Sequence, residues 1–354
     1  MSAGQLKPLE GPCAWLGARV DEMSGWDVSL DRQDLACLDR ALEGAVSQKF
    51  TWSSLTRADF PLPELSGKLR AMAAELEGGS GMVRIRGLSP GHYTVEEQRI
   101  LWYGLCLHLG VPVYQNPKGQ LLREICDEGE DVGTRYGQMV SDEGVFLSSR
   151  ARTASTAGLR FHTDRADIVG LFCLGQAKSG GQTRIASSVS VHNQMIRQRP
   201  ELAELLYAPI YRSRLGEEAG GGQMFYPLPV FGCREGKFTS HYSRTYVEAA
   251  QLLPDVPQMT DAQWAALDLL AELAEQFCFE TLFEPGDMQF LNNHVIYHAR
   301  HPFIDDPVAG FQRNLMRIWL CPPENRALPQ DHAVLWGSVA AGELRGGVAL
   351  ETAQ

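Results

Sequence analysis

Gly158-Leu159-Arg160-Phe161-His162-Thr163-Asp164 opens a β-rich run that continues to Cys173. On a strand, side chains two residues apart share a face. His162 and Asp164 then present an imidazole and a carboxylate side by side, while Thr163 points the other way. A second imidazole would complete a facial triad, which fills one side of a six-coordinate metal and leaves three positions open. An HxD pair by itself is more often a surface or capped polar pair, so the third ligand decides.

That ligand is sought near the C-terminus. Pro285-Gly286-Asp287 is a turn signal, Met288 to Leu291 reads as a strand, and Asn292-Asn293 makes a second turn. Val295-Ile296-Tyr297-His298 then leads into Ala299-Arg300, and His298 is the candidate. His294 and His301 are rivals by proximity, but neither has the same position relative to the Asn292-Asn293 turn. The strand-like run Arg313 to Leu320 follows, with Arg313, Leu315 and Arg317 on one face. A buried arginine needs an acidic partner, and a guanidinium can grip a carboxylate through two parallel hydrogen bonds. The bland alternatives are a satisfied core histidine and two surface arginines on an edge strand. The order HxD, distal His, then Arg argues against them.

Outward from these residues the chain is β in character. Short runs over 183–191, 206–214, 238–246, 279–283 and 315–320 are separated by Gly, Pro, Asn and Asp clusters. Such spacing predicts an antiparallel sandwich or barrel. Helices are predicted over 30–46 and 63–77, from the Thr94/Glu97 capping pattern to about Leu109, and from Thr260/Gln263 to about Phe277. The strand Met82 to Gly87 lies between the second and third. Residues 116–160 are polar and aperiodic, and read as a long loop or lid. The expectation is one catalytic domain over 1–354: a helical portion 1–80, a β core with helical insertions 81–322, and an extension 323–354 read as surface and as a candidate oligomer contact.

Composition narrows the function. The chain has 354 residues, 44% hydrophobic and 21% charged, enough for a sizeable core. A formal net charge of −11 repels phosphate backbones, so nucleic acid is not an expected partner. No apolar run approaches the roughly 18 residues that span a bilayer, and Met1 to Trp15 lacks the pattern of a secretory signal. The eight cysteines are scattered without a CxxC pair, which fits reduced thiols in a cytoplasm.

Together these residues resemble the taurine dioxygenase (TauD/TfdA) family of iron(II)/2-oxoglutarate dioxygenases, within the clavaminate synthase-like superfamily. The family pattern is matched by His162-Thr163-Asp164, Gly180-Gly181-Gln182-Thr183, Gly286-Asp287, Asn292-Asn293, His298, Arg313 and Arg317. The match spans roughly 80–322. It departs at Leu291, where the family often has an aromatic residue, and in the tail from Pro322, which carries no family signature. The resemblance implies a mainly β fold with flanking helices, a double-stranded β-helix or jelly roll. It implies Fe(II) on His162, Asp164 and His298, and 2-oxoglutarate and O2 as cosubstrates. Arg313 and Thr183 would hold the distal carboxylate of 2-oxoglutarate, with Arg317 near its other end or the substrate. Succinate and CO2 would be released as a C–H bond of the substrate is oxidised. Related halogenases lack the carboxylate, so Asp164 argues for hydroxylation, desaturation or cyclisation.

For a small anionic or amino-acid-like substrate the candidates are Arg165, Tyr242, Arg244 and Asn116, ahead of Asp167, Tyr211, Arg212, Tyr114 and Gln115. Two other readings stand beside this one. One is a 2-oxoglutarate-independent metalloenzyme on the same triad, which leaves Arg313 and Thr183 without a purpose. The other is a non-catalytic jelly-roll binding or sensor protein.

Overall fold

The computed structural model describes residues 6–141, 144–215 and 223–350. Its helices begin where the capping residues place them. Thr94 Oγ1 accepts from the Glu97 N–H while the Glu97 carboxylate accepts from the Thr94 N–H at 2.8 Å, starting Val95–Cys106. Thr260 and Gln263 do the same for Asp261–Phe277. Each box satisfies two donors that a helix start leaves open. Arg32–Ser47 and Ser66–Gly78 overlap the two N-terminal stretches predicted as helical, each running one residue further.

Two sheets make the jelly roll. The larger has the order Asp27–Ser29, Met82–Arg86, Met288–Asn292, Ile168–Gly175, Asn314–Cys321 and Val111–Pro112, and Leu122–Ile125 also pairs with Asn314–Cys321. The smaller is Phe279–Thr281, Thr183–Ser187, Ile296–Arg300 and Leu159–His162, antiparallel throughout. Alternation divides the larger sheet. Val83, Ile85, Phe172, Phe290, Met316 and Ile318 pack outward with apolar residues of the first three long helices. Val169, Leu171, Leu315 and Arg317 line a cavity whose other wall is Leu159, His162, Thr183 and His298 of the smaller sheet. Trp102 on the outer side seats its ring 5.2 Å from that of Phe290 and 5.6 Å from that of Phe172. Gly170 leaves the room, because a Cβ there would lie 2.9 Å from Phe290 and Ile318.

Four stretches differ from the sequence-based expectation. The run to Cys173 is not one strand. Leu159–His162 belongs to the smaller sheet and Ile168–Gly175 to the larger, so the chain crosses between sheets over 163–167. Asn293 takes over the backbone hydrogen bonds lost there. Its Oδ1 accepts from the Asp164 N–H at 2.9 Å, its Nδ2 donates to the Ala166 carbonyl, and its own N–H donates to the Asp167 carbonyl. The strands at 183 and 237 are shorter than expected, because Ser187 caps the helix Ser188–Gln198 and the helix Arg244–Gln251 follows Lys237–Ser240. Residues 116–160 are not a structureless loop. They contain Leu122–Ile125, two short helices (Val132–Tyr136 and Ser149–Thr153) and the strand pair Gln138–Ser141 and Gly144–Leu147.

The fourth difference is the tail, which is not a surface extension. Leu328, Leu335, Trp336 and Val339 form a buried cluster with Tyr226 and Leu228. Arg326 donates to the Phe238 carbonyl at 2.6 Å, and Arg345 Nε donates to the Asp167 carboxylate at 3.0 Å. Among the described residues, no helix is long and apolar enough to cross a membrane.

Candidate metal centre and its two cavities

His298 sits directly opposite His162 on the neighbouring strand, with ring centroids 4.2 Å apart. His162 Nδ1 lies 2.9 Å from the Arg160 carbonyl. A carbonyl only accepts, so Nδ1 carries the proton and Nε2 keeps its lone pair for a metal. Asp164, just past the strand end, reaches between the rings. Its Oδ1 is 3.9 Å from His162 Nε2 and its Oδ2 is 3.8 Å from His298 Nε2. One ligand atom from each of the three residues lies within 4.8 Å of the other two, and all three residues are buried.

The electrostatics suit metal binding, which needs neutral imidazoles and an ionised carboxylate. Burial pushes His298 down to about 3, reinforced by His162, and burial likewise lowers His162. Burial opposes ionisation of Asp164, but Arg317 and the two histidines outweigh it and hold the carboxyl below its usual range. Trp319 Nε1 donates to Asp164 Oδ2 at 2.9 Å and fixes the carboxylate from behind. The rival histidines are committed elsewhere. His294 has Nε2 2.7 Å from Asp167 Oδ1 and Nδ1 2.7 Å from Thr239 Oγ1. His301 lies on the surface 3.0 Å from Glu280. The donor set and its burial therefore fit a divalent ion on His162, Asp164 and His298.

Two cavities meet at this centre. The inner one, between the sheets, is lined by Thr183, His298, Arg300, Arg313 and Arg317 among others. Arg313 is 6% exposed and its Nη1 makes no hydrogen bond. Burial pulls this guanidinium down to about 10. A cation left in that state is costly unless an anion completes it, which is the fit expected for a carboxylate ligand beside the metal.

The outer cavity, with about 560 Å³ of empty space that includes open solvent, is lined by Gln115, Arg123, Arg165, Arg317, Trp319 and Leu335 among others. Arg165 therefore faces this cavity, and its Nε donates to the Leu335 carbonyl at 3.1 Å. The other three substrate candidates do not line either cavity. Tyr242 is buried against Tyr297. Arg244 pairs with Glu248 and Asp268 over the Trp264 ring. Asn116 closes its own turn by accepting from the Lys118 and Gln120 N–H groups. Arg212, fully buried, is spent on the carbonyls of Leu228, Pro229 and His241.

Several residues at the site were not singled out from sequence. Arg123 stands in register opposite Arg317 on the next strand, and both side chains line the outer cavity. Trp319 had a signal, since it lies two residues beyond Arg317 on the same strand face. Leu335 had none, because the tail shows no periodicity.

The profile of the family described as "Taurine catabolism dioxygenase TauD, TfdA family" matches residues 39–319. The chain is 32% identical over 347 residues to FR-33289 synthase of Streptomyces rubellomurinus (strain ATCC 31215), covering 95% of this chain and 97% of that protein. It is 28% identical over 332 residues to the taurine hydroxylase-like protein SAT17 of Stachybotrys chartarum (strain CBS 109288 / IBT 7711), covering 89% and 82% respectively. In structure it resembles an asparagine oxygenase in complex with Fe(II), 2S,3S-3-hydroxyasparagine and succinate. That match has a TM-score of 0.66 at 16% identity, over 92% of this chain and 100% of that one. The non-heme iron oxygenase OrfP in complex with Fe and alpha-ketoglutaric acid gives a TM-score of 0.58 at 17% identity, over 83% and 93%.

Proposed function

This chain belongs to the taurine catabolism dioxygenase TauD/TfdA family, and from that premise we propose that it oxidises a C–H bond of a small anionic or amino-acid-like molecule. It is an iron(II)/2-oxoglutarate-dependent oxygenase, with succinate and CO2 as coproducts. When bound, iron supplies the activation of O2. The observation that carries the reading is the closed set of buried donors His162, Asp164 and His298 beside an arginine with an unpartnered nitrogen, Arg313.

The residues divide the work. His162, Asp164 and His298 hold the metal, and Trp319 keeps the Asp164 carboxylate in place. Arg313, with Thr183 beside it, takes the distal carboxylate of 2-oxoglutarate in the inner cavity. The buried walls of both sheets keep bulk water away from the reacting atoms. Arg317 is held at the junction of the cavities by Gln115, whose Oε1 accepts from Arg317 Nε at 2.7 Å.

The substrate class rests on the outer cavity. Like charges directly opposite each other on paired strands are destabilising, yet Arg123 and Arg317 are so placed and both are buried. Glu128 and Asp164, 3.6 Å from Arg123 and Arg317 respectively, offset part of that cost, and an anionic group of the substrate between the two arginines offsets more. The asparagine oxygenase and OrfP complexes hold hydroxylated amino acids, so amino acids are the first class to test, followed by other small anions.

The test is succinate formation by the purified protein with iron(II), ascorbate and 2-oxoglutarate across such a panel. The expected result is substrate-stimulated succinate release with one product per succinate, carrying one added oxygen or lacking two hydrogens. Arg123→Gln should raise KM for that substrate roughly tenfold, the loss of one charged hydrogen bond, without altering 2-oxoglutarate affinity. Product formed without 2-oxoglutarate would favour the cosubstrate-independent metalloenzyme.

A further inference from the structure

Arg300 has no assigned role in this scheme, yet its surroundings are unusual. It lies two residues beyond His298, in register with Thr183 on one side and Leu159 on the other. Its side chain is almost fully buried and lines the inner cavity with Arg313. The two guanidiniums share one ring. Arg300 Cζ is 4.9 Å and Arg313 Cζ 5.3 Å from the centroid of Phe303. Among the described residues that line this cavity, Asp164 is the sole carboxylate, and it faces the metal ligands.

The hydrogen bonds of Arg300 are one-sided. Nη2 donates to the carbonyls of Arg152 at 3.3 Å and Ser155 at 2.8 Å, and to that of Ala157. Nε and Nη1 have no partner, and neither does Arg313 Nη1. One edge of the guanidinium thus clasps the segment 152–157, while the rest is buried and unsatisfied. That segment contains Thr153, which lines both the inner and the outer cavity, and it leads into the strand that carries His162.

We propose that Arg300 is a second cation of the 2-oxoglutarate pocket and that, when the cosubstrate's distal carboxylate lies there, Arg300 fixes residues 152–157 and with them Thr153. The inference rests on the cosubstrate reading above. Two buried guanidiniums on one ring repel, and a carboxylate beside them offsets that repulsion. Arg300 then loses its freedom to move, and so do the three carbonyls it holds. The clasp on 152–157 is present without a ligand, and the bound carboxylate tightens it, so the wall between the cavities is firmer once the cosubstrate is in place. Arg300 acts on the substrate cavity through Thr153, as a positioning residue.

Hydrogen–deuterium exchange tests this on the protein loaded with manganese(II) without O2, with binding followed in parallel by calorimetry. In the wild-type protein 2-oxoglutarate should slow exchange of amides in 152–157 by about tenfold or more. 2-Oxobutyrate, which keeps the keto acid but lacks the distal carboxylate, should leave them unchanged. Arg300→Lys keeps a cation, but its shorter side chain ends before the position of Nη2, the one nitrogen that holds the three carbonyls. It should bind 2-oxoglutarate within about tenfold of wild type and lose the protection. Calorimetric binding of 2-oxoglutarate with no added protection in the wild-type protein would overturn the inference alone, as would equal protection by 2-oxobutyrate or in Arg300→Lys. Absence of any 2-oxoglutarate binding would overturn the cosubstrate reading with it. The wild-type comparison of the two keto acids stands even if the variant does not fold.

Discussion

Asp164 is held from three directions, and each partner makes a different contribution. Trp319 donates to its carboxylate, Asn293 accepts from its N–H, and Arg317 Nη1 lies 3.6 Å from Oδ1. Partners of this kind orient a ligand and tune its basicity, and their loss typically weakens metal affinity by about 10–100-fold. Trp319→Phe keeps the ring and removes the donor. Its affinity for manganese(II), read by competition with a chelator dye, should fall within that range, and an unchanged affinity would reduce Trp319 to a space-filler. The three clustered donors were legible because HxD needs only a two-residue spacing and His298 follows a marked turn. Asn293 was legible as a turn residue but not as a partner of Asp164, since it acts on a backbone 129 positions away. Tyr242 and Arg244 were misplaced for a related reason. The chain turns into a helix at Arg244, which sends that side chain to Glu248 and Asp268 instead of into the cavity.

At the scale of elements, the strands carrying Thr183, His298 and Arg317 were readable from alternation and turn residues, and the helices from their capping boxes. The tail was not, because its contacts are made one residue at a time. Arg345 and His294 share the buried Asp167 carboxylate, which follows the turn that carries Asp164. Burial resists ionisation of Asp167, and His294 and Arg345 overcome it, holding the carboxyl below its usual range. Removing one partner of a buried ion pair costs about 3–5 kcal/mol, mainly from the charge left behind. Arg345→Met should therefore lower the unfolding free energy from urea titration by an amount of that order. A loss under about 1 kcal/mol would show that the tail merely rests on the core. The Thr260 capping box gives a milder test. Thr260→Ala should cost roughly 1 kcal/mol in the same measurement and leave metal binding untouched, whereas a neutral substitution would mean the cap is dispensable.

Across the whole molecule, buried neutral histidines set the acid limit of stability. Burial pushes His192, packed among Tyr207, Phe231 and Phe238, down to about 4, and His294 down to about 4 despite the pull of Asp167. In the unfolded chain each returns to about 6.5. Between those values the unfolded state binds the proton and the native state does not, so stability falls as pH drops from about 6.5 toward 4. Each histidine contributes a slope approaching 1.4 kcal/mol per pH unit. Asp164 and Asp167 have lowered values, so their contribution is lost at still lower pH. Urea midpoints of the metal-free protein between pH 7 and 4.5 should show this decline, shallower in His192→Phe, and a flat profile would contradict it. The same scale shows a contrast of charge. The chain is acidic, at −11, while arginines line both cavities. Composition revealed the first of these. The sequence named Arg165, Arg313 and Arg317 for the second, and the register of paired strands added Arg123.

The most direct measurement is a calorimetric titration of 2-oxoglutarate into the protein, with and without one equivalent of manganese(II), in the absence of O2. The account predicts one cosubstrate per chain, dependent on the metal. Affinity should be at least about 100-fold weaker in Arg313→Met, as expected when a buried charge pair worth roughly 3 kcal/mol is broken, and absent in His162→Ala. Equal binding without metal, or no binding to the loaded wild-type protein, would contradict it.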